Sequence, residues 1–263
     1  SSQFVSGLLF ALPLLEGDSR LRLLPPVESR SYIEMTRAAQ SRFGVASQWL
    51  DENTLAIPGG QAYRPRDMAI EGDWSQAAFP AVLGALAGDV TVTGLEPGTL
   101  QGDAVILDIL RRCGGRAEPV PGGVRFQKSA LCGTEIDLAD CPDLGPVLMA
   151  MGLLCEGETV IFNAGRLRLK ESDRIAAMEQ ELRKLGGQIE SCGGTVTLRR
   201  SALHPPAGPL WGHNDHRVVM SLTVLAAAAG LPVQIDGAEA VAKSWPGFFA
   251  AVRQLGVEVE TDA

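Results

Sequence analysis

The residues of this chain best suited to chemistry gather in a few short polar clusters: Ser1-Ser2-Gln3, Ser29 to Tyr32, Gly72-Asp73, Pro142-Asp143, Lys170-Glu171 with Arg174, Asn214-Asp215-His216-Arg217, and Lys243-Ser244. Each stands where a helix is expected to begin. Unpaired N–H groups and a partial positive charge at such starts, with lysine, arginine and serine beside them, suit phosphate and carboxylate ligands. Single members have plainer explanations. Asp73, Asp143, Asp215, Ser2 and Ser29 could each be an N-cap contributing ~1 kcal/mol. Glu171 and Arg174, three residues apart, could be a surface ion pair worth ~0.3 kcal/mol. Lys170 and Lys243 could be solvated charges, and Tyr32 and Trp245 packing residues. His216 beside Arg217 resists that treatment, because cations at a helix start oppose its field. An anion there would compensate them, and it is the joint placement that favours a shared anion site.

The elements that carry these clusters repeat. Apolar helices are expected to begin near Ser2, Asp73, Asp143 and Asp215, at offsets of 71, 70 and 72 residues. Their bodies (FVSGLLFALPLL, AAFPAVLGALAG, LGPVLMAMGLLCEG, HRVVMSLTVLAAAAG) are apolar throughout, as suits helices buried on most sides. Alternating strand-like stretches follow each: SRLRLL, VTVTGL, TVIFNA and PVQIDG. Second helices, starting near Ser29, Lys170 and Lys243 where polar clusters mark them, close at Gly44, Gly114, Gly186 and Gly256, where glycine can form a left-handed cap. Pro246 falls at the expected first turn of the last one. Further strands are expected at VRFQKS, VTLRRS and VEVE. Such α/β modules cannot bury their apolar helices singly; stacking them with helices inward and sheets outward would do so. A domain boundary is expected near residue 70, which separates residues 1–69 from residues 70–263.

A net charge of −8 argues against nucleic-acid and anionic-membrane partners. No apolar run reaches the ~20 residues of a membrane span. Five cysteines without CxxC spacing fit a reducing, cytoplasmic setting. There is no P-loop, no GxGxxG after a strand, no HExxH and no GxSxG, so nucleotide, zinc-protease and serine-hydrolase chemistry lack support. Only three histidines occur, and no metal or organic cofactor is expected.

Five segments, SSQFVSGLL (1–9), EGDWSQAAF (71–79), KESDRI (170–175), NDHRVVMSL (214–222) and AKSWPGFF (242–249), resemble in wording and order the motifs of the 5-enolpyruvylshikimate-3-phosphate synthase family. The resemblance implies an inverse α/β barrel-like fold built from βαβαββ modules. Four of six would be present: the last module of an amino-terminal domain and the three of a carboxy-terminal domain. It implies transfer of the enolpyruvyl group of phosphoenolpyruvate to shikimate-3-phosphate without a cofactor. Ser1, Ser2, Gln3, Ser29 and Tyr32 would hold shikimate-3-phosphate. Asp143 would be the base for the attacking hydroxyl, with Lys170 as its neighbour. Glu171, Arg174, His216, Arg217 and Lys243 would form the phosphoenolpyruvate set, Glu171 donating the proton to the methylene carbon. Arg166 departs from the pattern where some members carry an amide, which puts that contact in doubt. The resemblance also implies a missing amino-terminal segment bearing further cations, glyphosate as an inhibitor, and a monomer. UDP-N-acetylglucosamine enolpyruvyltransferase is the alternative enzyme, and a non-catalytic substrate-binding fragment is the alternative of another class.

Overall fold

The computed structural model describes residues 2–25, 27, 29–96 and 98–261, so Ser1 lies outside the described residues. Two compact units divide the chain, Ser1–Glu71 with Pro97–Gly102, and Gly72–Glu96 with Asp103–Ala263.

In the first unit, helix α1 (Ser2–Ala11) leads through strand β1 (Ser19–Arg22) to helix α2 (Arg30–Arg42) and strands β2 (Gln48–Trp49) and β3 (Thr54–Ile57). β3 lies between β1 and β2, antiparallel to both. α2 turns Ile33, Thr36 and Gln40 toward α1 at helical spacing. Gln40 donates to the Leu9 carbonyl at 2.6 Å, and the Ser6 and Thr36 hydroxyls meet at 2.7 Å. Leu9, Ile33, Leu55 and Ile57 form a small core. α1 itself departs from the expectation of burial on most sides: Phe4 is 78% and Phe10 50% exposed. Its apolar sequence has only α2 and one sheet to cover it within this unit.

The second unit repeats the module three times. Helix α3 (Trp74–Ala87), strand β4 (Asp89–Thr93), helix α4 (Ile106–Arg112) and strands β5 (Arg116–Val120) and β6 (Gly123–Gln127) make the first. Strand β7 (Glu135–Asp137), helix α5 (Gly145–Gly152), strand β8 (Glu158–Phe162), helix α6 (Arg174–Lys184) and strands β9 (Gln188–Cys192) and β10 (Thr195–Arg199) make the second. Strand β11 (Leu210–Trp211), helix α7 (His216–Ala229), strand β12 (Ile235–Asp236) and helix α8 (Phe248–Gln254) make the third. The sheets run β4-β6-β5 and β7-β8-β10-β9, with the last strand of each hairpin moved to the middle, as in the first unit. The parallel pairs β7–β8 and β11–β12 each enclose an apolar helix as their crossover. α3, α5 and α7 pack on one another, and every residue of α5 is buried, so here the continuous apolarity has its stated consequence. No helix of the described residues is long and apolar enough to cross a membrane.

Two expectations fail locally. Residues 257–260 form no strand, because among the described residues no hairpin partner lies between them and β12. α8 begins at Phe248 rather than around Pro246, and Lys243-Ser244 do not open it: Ala238–Lys243 winds as a 3₁₀ turn that ends at Lys243, and the chain needs the next residues to leave it.

The glycine caps are regular. Gly44, Gly114, Gly186 and Gly256 have φ of +82°, +87°, +83° and +87°. The amide after each reaches back to the helix, from Val45 to the Gln40 carbonyl (3.0 Å), Gly115 to Leu110 (2.8 Å), Gly187 to Leu182 (2.9 Å) and Val257 to Val252 (3.3 Å), the six-to-one bond of a Schellman cap. A Cβ on Gly114 would meet only the Ala130 carbonyl at 3.5 Å, whereas one on Gly186 would meet the His204 ring at 2.9 Å. Gly114→Ala should therefore cost ~1 kcal/mol from left-handed strain alone. Gly186→Ala should cost more, because strain and overpacking add. Urea unfolding of both variants checks the order.

Candidate functional site

Eight of the residues singled out from the sequence come together in the second unit, at the start of α7 and its surroundings. α7 begins at His216 with Asp215 as a true N-cap, its carboxylate accepting from the Arg217 amide at 2.9 Å. α6 begins at Arg174 rather than at Lys170-Glu171, with Asp173 as the cap accepting from the Ala176 amide at 3.0 Å. Lys170 and Glu171 lie in the connection between a 3₁₀ turn, Gly165–Leu169, and that cap. Asp143 is not an N-cap either. It sits within a 3₁₀ turn, Pro142–Leu144, that precedes α5, and its carboxylate is left to face the cations around it.

Asp143 meets three of them: Arg174 Nη1 at 3.0 Å, Lys170 Nζ at 3.2 Å and Arg217 Nη2 at 3.4 Å. Burial pushes its carboxyl up, but Arg217, Lys170 and Arg174 outweigh that and hold it down at about 2. Asp215, with no exposed side-chain surface, takes Arg174 Nε at 2.8 Å and Nη2 at 3.3 Å, with the Ser172 hydroxyl donating at 3.1 Å. Burial again raises its carboxyl, while Arg174 and the Arg217 amide bring it below the usual range. Arg174 therefore bridges two carboxylates with a side chain that is 3% exposed.

Arg217 turns the other way. It donates to the Ser75 hydroxyl at 2.9 Å, the Ser75 carbonyl at 3.4 Å and the Asp143 carbonyl at 3.2 Å. Ser75 is held in the first turn of α3, its amide donating to the Asp73 cap at 2.8 Å. His216 Nδ1 lies 3.2 Å from the Glu171 carboxylate. Burial and the Arg217 charge lower its pKa, against the pull of Glu171 and Asp215, which favours the neutral ring near pH 7. Lys243 lies 3.5 Å from Glu171 and donates to the Asn214 carbonyl. Four cations thus face three carboxylates around the N-terminus of α7, an arrangement suited to a further anion.

Glu171, Asp215 and His216 offer ligand atoms within 4.8 Å of one another, a donor set that could hold a divalent ion. Both Asp215 oxygens already accept from Arg174, and Lys243 stands beside Glu171, so the cluster is saturated by cationic donors.

The remaining candidates belong to the first unit. Ser2 opens α1 and is buried, while Gln3 is exposed. Ser29 precedes α2, is 2% exposed, has φ +53° and makes no side-chain cap bond to that helix. The simple capping explanation therefore does not hold for Ser29. Tyr32 lies half-buried in the first turn of α2. Sequence reasoning missed Ser75, Ser172 and the central place of Asp215. The EGDWSQAAF motif contained Ser75, but only the fold shows that Arg217 reaches it across 142 positions.

The family profile of EPSP synthase (3-phosphoshikimate 1-carboxyvinyltransferase) matches residues 1–252. Curated 3-phosphoshikimate 1-carboxyvinyltransferases from Clostridium kluyveri and Clostridium acetobutylicum are 40% and 41% identical to the chain over 260 residues each, covering 99% and 98% of it. The chain spans about three fifths of those relatives, 61% and 60% of their length. Among solved structures, EPSP synthase from Acinetobacter baumannii superimposes over 100% of the chain and 62% of its own, with a TM-score of 0.82 at 24% identity. The enolpyruvyl transferase NikO from Streptomyces tendae covers 94% of the chain and 57% of its own, with a TM-score of 0.74 at 19% identity. At these identities the structural likeness shows the shared fold, a mixed α/β architecture of repeated modules.

The Asp143 environment has a measurable consequence. Its carboxyl is held at about 2 against an ordinary 3.8, so its contribution to stability is complete above pH 4 and fades as pH falls through 2. Wild-type protein should lose ~2 kcal/mol from this group over that window. Asp143→Asn should show a correspondingly shallower loss in urea unfolding measured at pH 4, 3 and 2.

Proposed function

We propose that this chain, which belongs to the EPSP synthase family, forms the larger part of an enzyme that transfers the enolpyruvyl group of phosphoenolpyruvate to the 5-hydroxyl of shikimate-3-phosphate and releases phosphate. The observation that carries the reading is the convergence of Arg174, Arg217 and Lys243 with Lys170 at the start of α7, beside two acids of opposite character. Phosphoenolpyruvate bears a carboxylate and a phosphate, and guanidinium groups bind both bidentately. Lys243 supplies a point charge to the phosphate once it leaves the Asn214 carbonyl.

The acids divide the proton work. Glu171 is partly exposed beside His216 and Lys243; once Lys243 turns to the phosphate, Glu171 can take up a proton and hand it to the methylene carbon. That step develops an oxocarbenium-like cation, which the ionised Asp143 stabilises. With its pKa at about 2 in the unliganded chain, Asp143 is a weak base. Anionic substrates that draw Lys170 and Arg217 away would raise it toward the strength needed to take the hydroxyl proton. Ser2, Gln3, Ser29 and Tyr32, together with Ser1, are assigned to shikimate-3-phosphate. The first unit is read as the last module of an amino-terminal domain. Glyphosate would compete with phosphoenolpyruvate, and the protein would act as a cytoplasmic monomer. KESDRI and NDHRVVMSL favour the shikimate enzyme over the nucleotide-sugar transferase.

Because the chain spans three fifths of its relatives, it should turn over weakly or not at all alone. Phosphate release at the rate of a complete enzyme would contradict this. In a full-length setting, Arg217→Ala and Lys243→Ala should each weaken phosphoenolpyruvate at least tenfold, the loss of a charge-assisted hydrogen bond. Shikimate-3-phosphate should be affected far less; equal losses by calorimetry would overturn the assignment.

A further inference from the structure

Glu181 lies in the middle of α6, has no exposed side-chain surface, and takes no part in the ion network at the helix start. Its carboxylate instead accepts from three groups: Lys184 Nζ at 2.7 Å, the Trp211 amide at 2.9 Å and His213 Nε2 at 3.2 Å. Two of these belong to the turn that delivers the chain into α7. That turn is unusual, because His213 and Asn214 both have φ of +51°, two successive non-glycine residues in the left-handed region. Such a conformation persists where surrounding contacts over-determine it.

What the turn presents is the anion site. Asn214 turns its carbonyl to Lys243, and Asp215, His216 and Arg217 follow directly. The same segment also supports Lys243 from the other end. Trp211 pairs with Asp236, the Gly212 amide donates to the Asp236 carbonyl at 2.8 Å, and the Trp211 ring lies where a Cβ on Gly237 would fall, 3.0 Å away. Gly237 starts the 3₁₀ turn that ends in Lys243. One buried carboxylate therefore braces both routes to the site.

We infer that Glu181 is a positioning residue: by holding the Trp211 amide and the His213 ring, it fixes the left-handed turn that aims Arg217 and Lys243 at the anion. The inference rests on the reading of that site as the phosphoenolpyruvate pocket. It adds a residue that touches no substrate but sets the distance between the two cations that do.

The test compares Glu181→Ala and Glu181→Gln with wild type and with Leu198→Ala, a core truncation in β10 that matches a purely structural loss. Amide hydrogen exchange is followed by mass spectrometry, and phosphoenolpyruvate is titrated by calorimetry with shikimate-3-phosphate present. Glu181→Ala should speed exchange selectively at residues 211–217 and 238–243 and weaken phosphoenolpyruvate at least tenfold. Glu181→Gln, which still accepts from the Trp211 amide, should restore most of both. Exchange that rises evenly through the unit, as in Leu198→Ala, or an unchanged affinity in Glu181→Ala, would overturn the inference. If wild type binds no phosphoenolpyruvate, the pocket assignment falls, and the exchange pattern still decides whether Glu181 holds the turn.

Discussion

Arg174 is the constraint on which the second unit turns. A buried guanidinium with no partner would cost several kcal/mol, so the fold must bring carboxylates to it. It brings two, Asp143 from the turn before α5 and Asp215 from the cap of α7. Arg217, equally buried, then needs its own acceptors and finds them in Asp143 and in Ser75 at the start of α3. Satisfying two arginines thus ties the starts of α3, α5, α6 and α7 together. The apolar helices give the unit its core, but this network fixes which ends meet.

The same network explains why the site suits an anion. Asp143 and Asp215 are spent on holding the arginines, and the lysines at its edge are the least committed of its cations. Lys170 and Lys243 remain partly exposed, and each is held by a single carboxylate or by that and a carbonyl. Ligand anions can displace those contacts at modest cost, since partly exposed pairs contribute little. The buried arginines keep their geometry while the rim rearranges, a combination of rigidity and exchange suited to binding an anion.

The sequence made the repeat legible because glycine caps and apolar helices obey local rules: Gly44, Gly114, Gly186 and Gly256 all adopt the expected left-handed conformation. Polar residues at module starts pointed to a shared end, and the family resemblance selected Asp143, Lys170, Glu171, Arg174, His216, Arg217 and Lys243 from them; the fold brings these seven close, although Lys170 and Glu171 precede the helix they were expected to open. Details that depend on tertiary pairing were not legible. Asp143 looks like a cap but lies in a 3₁₀ turn, Pro246 looks like a helix start but lies ahead of the cap of α8, and residues 257–260 alternate like a strand without a ladder to join. Ser75 and Glu181 were hidden for the same reason, as their partners lie 142 and 30 positions away. α1 reads like its three counterparts, yet its burial depends on neighbours that the sequence of one helix does not specify.

Whether the cations around the start of α7 hold phosphoenolpyruvate is tested most directly by a crystal structure of this chain grown with phosphoenolpyruvate and shikimate-3-phosphate. The phosphoenolpyruvate carboxylate and phosphate should lie within hydrogen-bonding distance of Arg174, Arg217 and Lys243, with Lys243 withdrawn from the Asn214 carbonyl. Ligand density on another face, with Lys243 still bound to that carbonyl and Glu171, would contradict it.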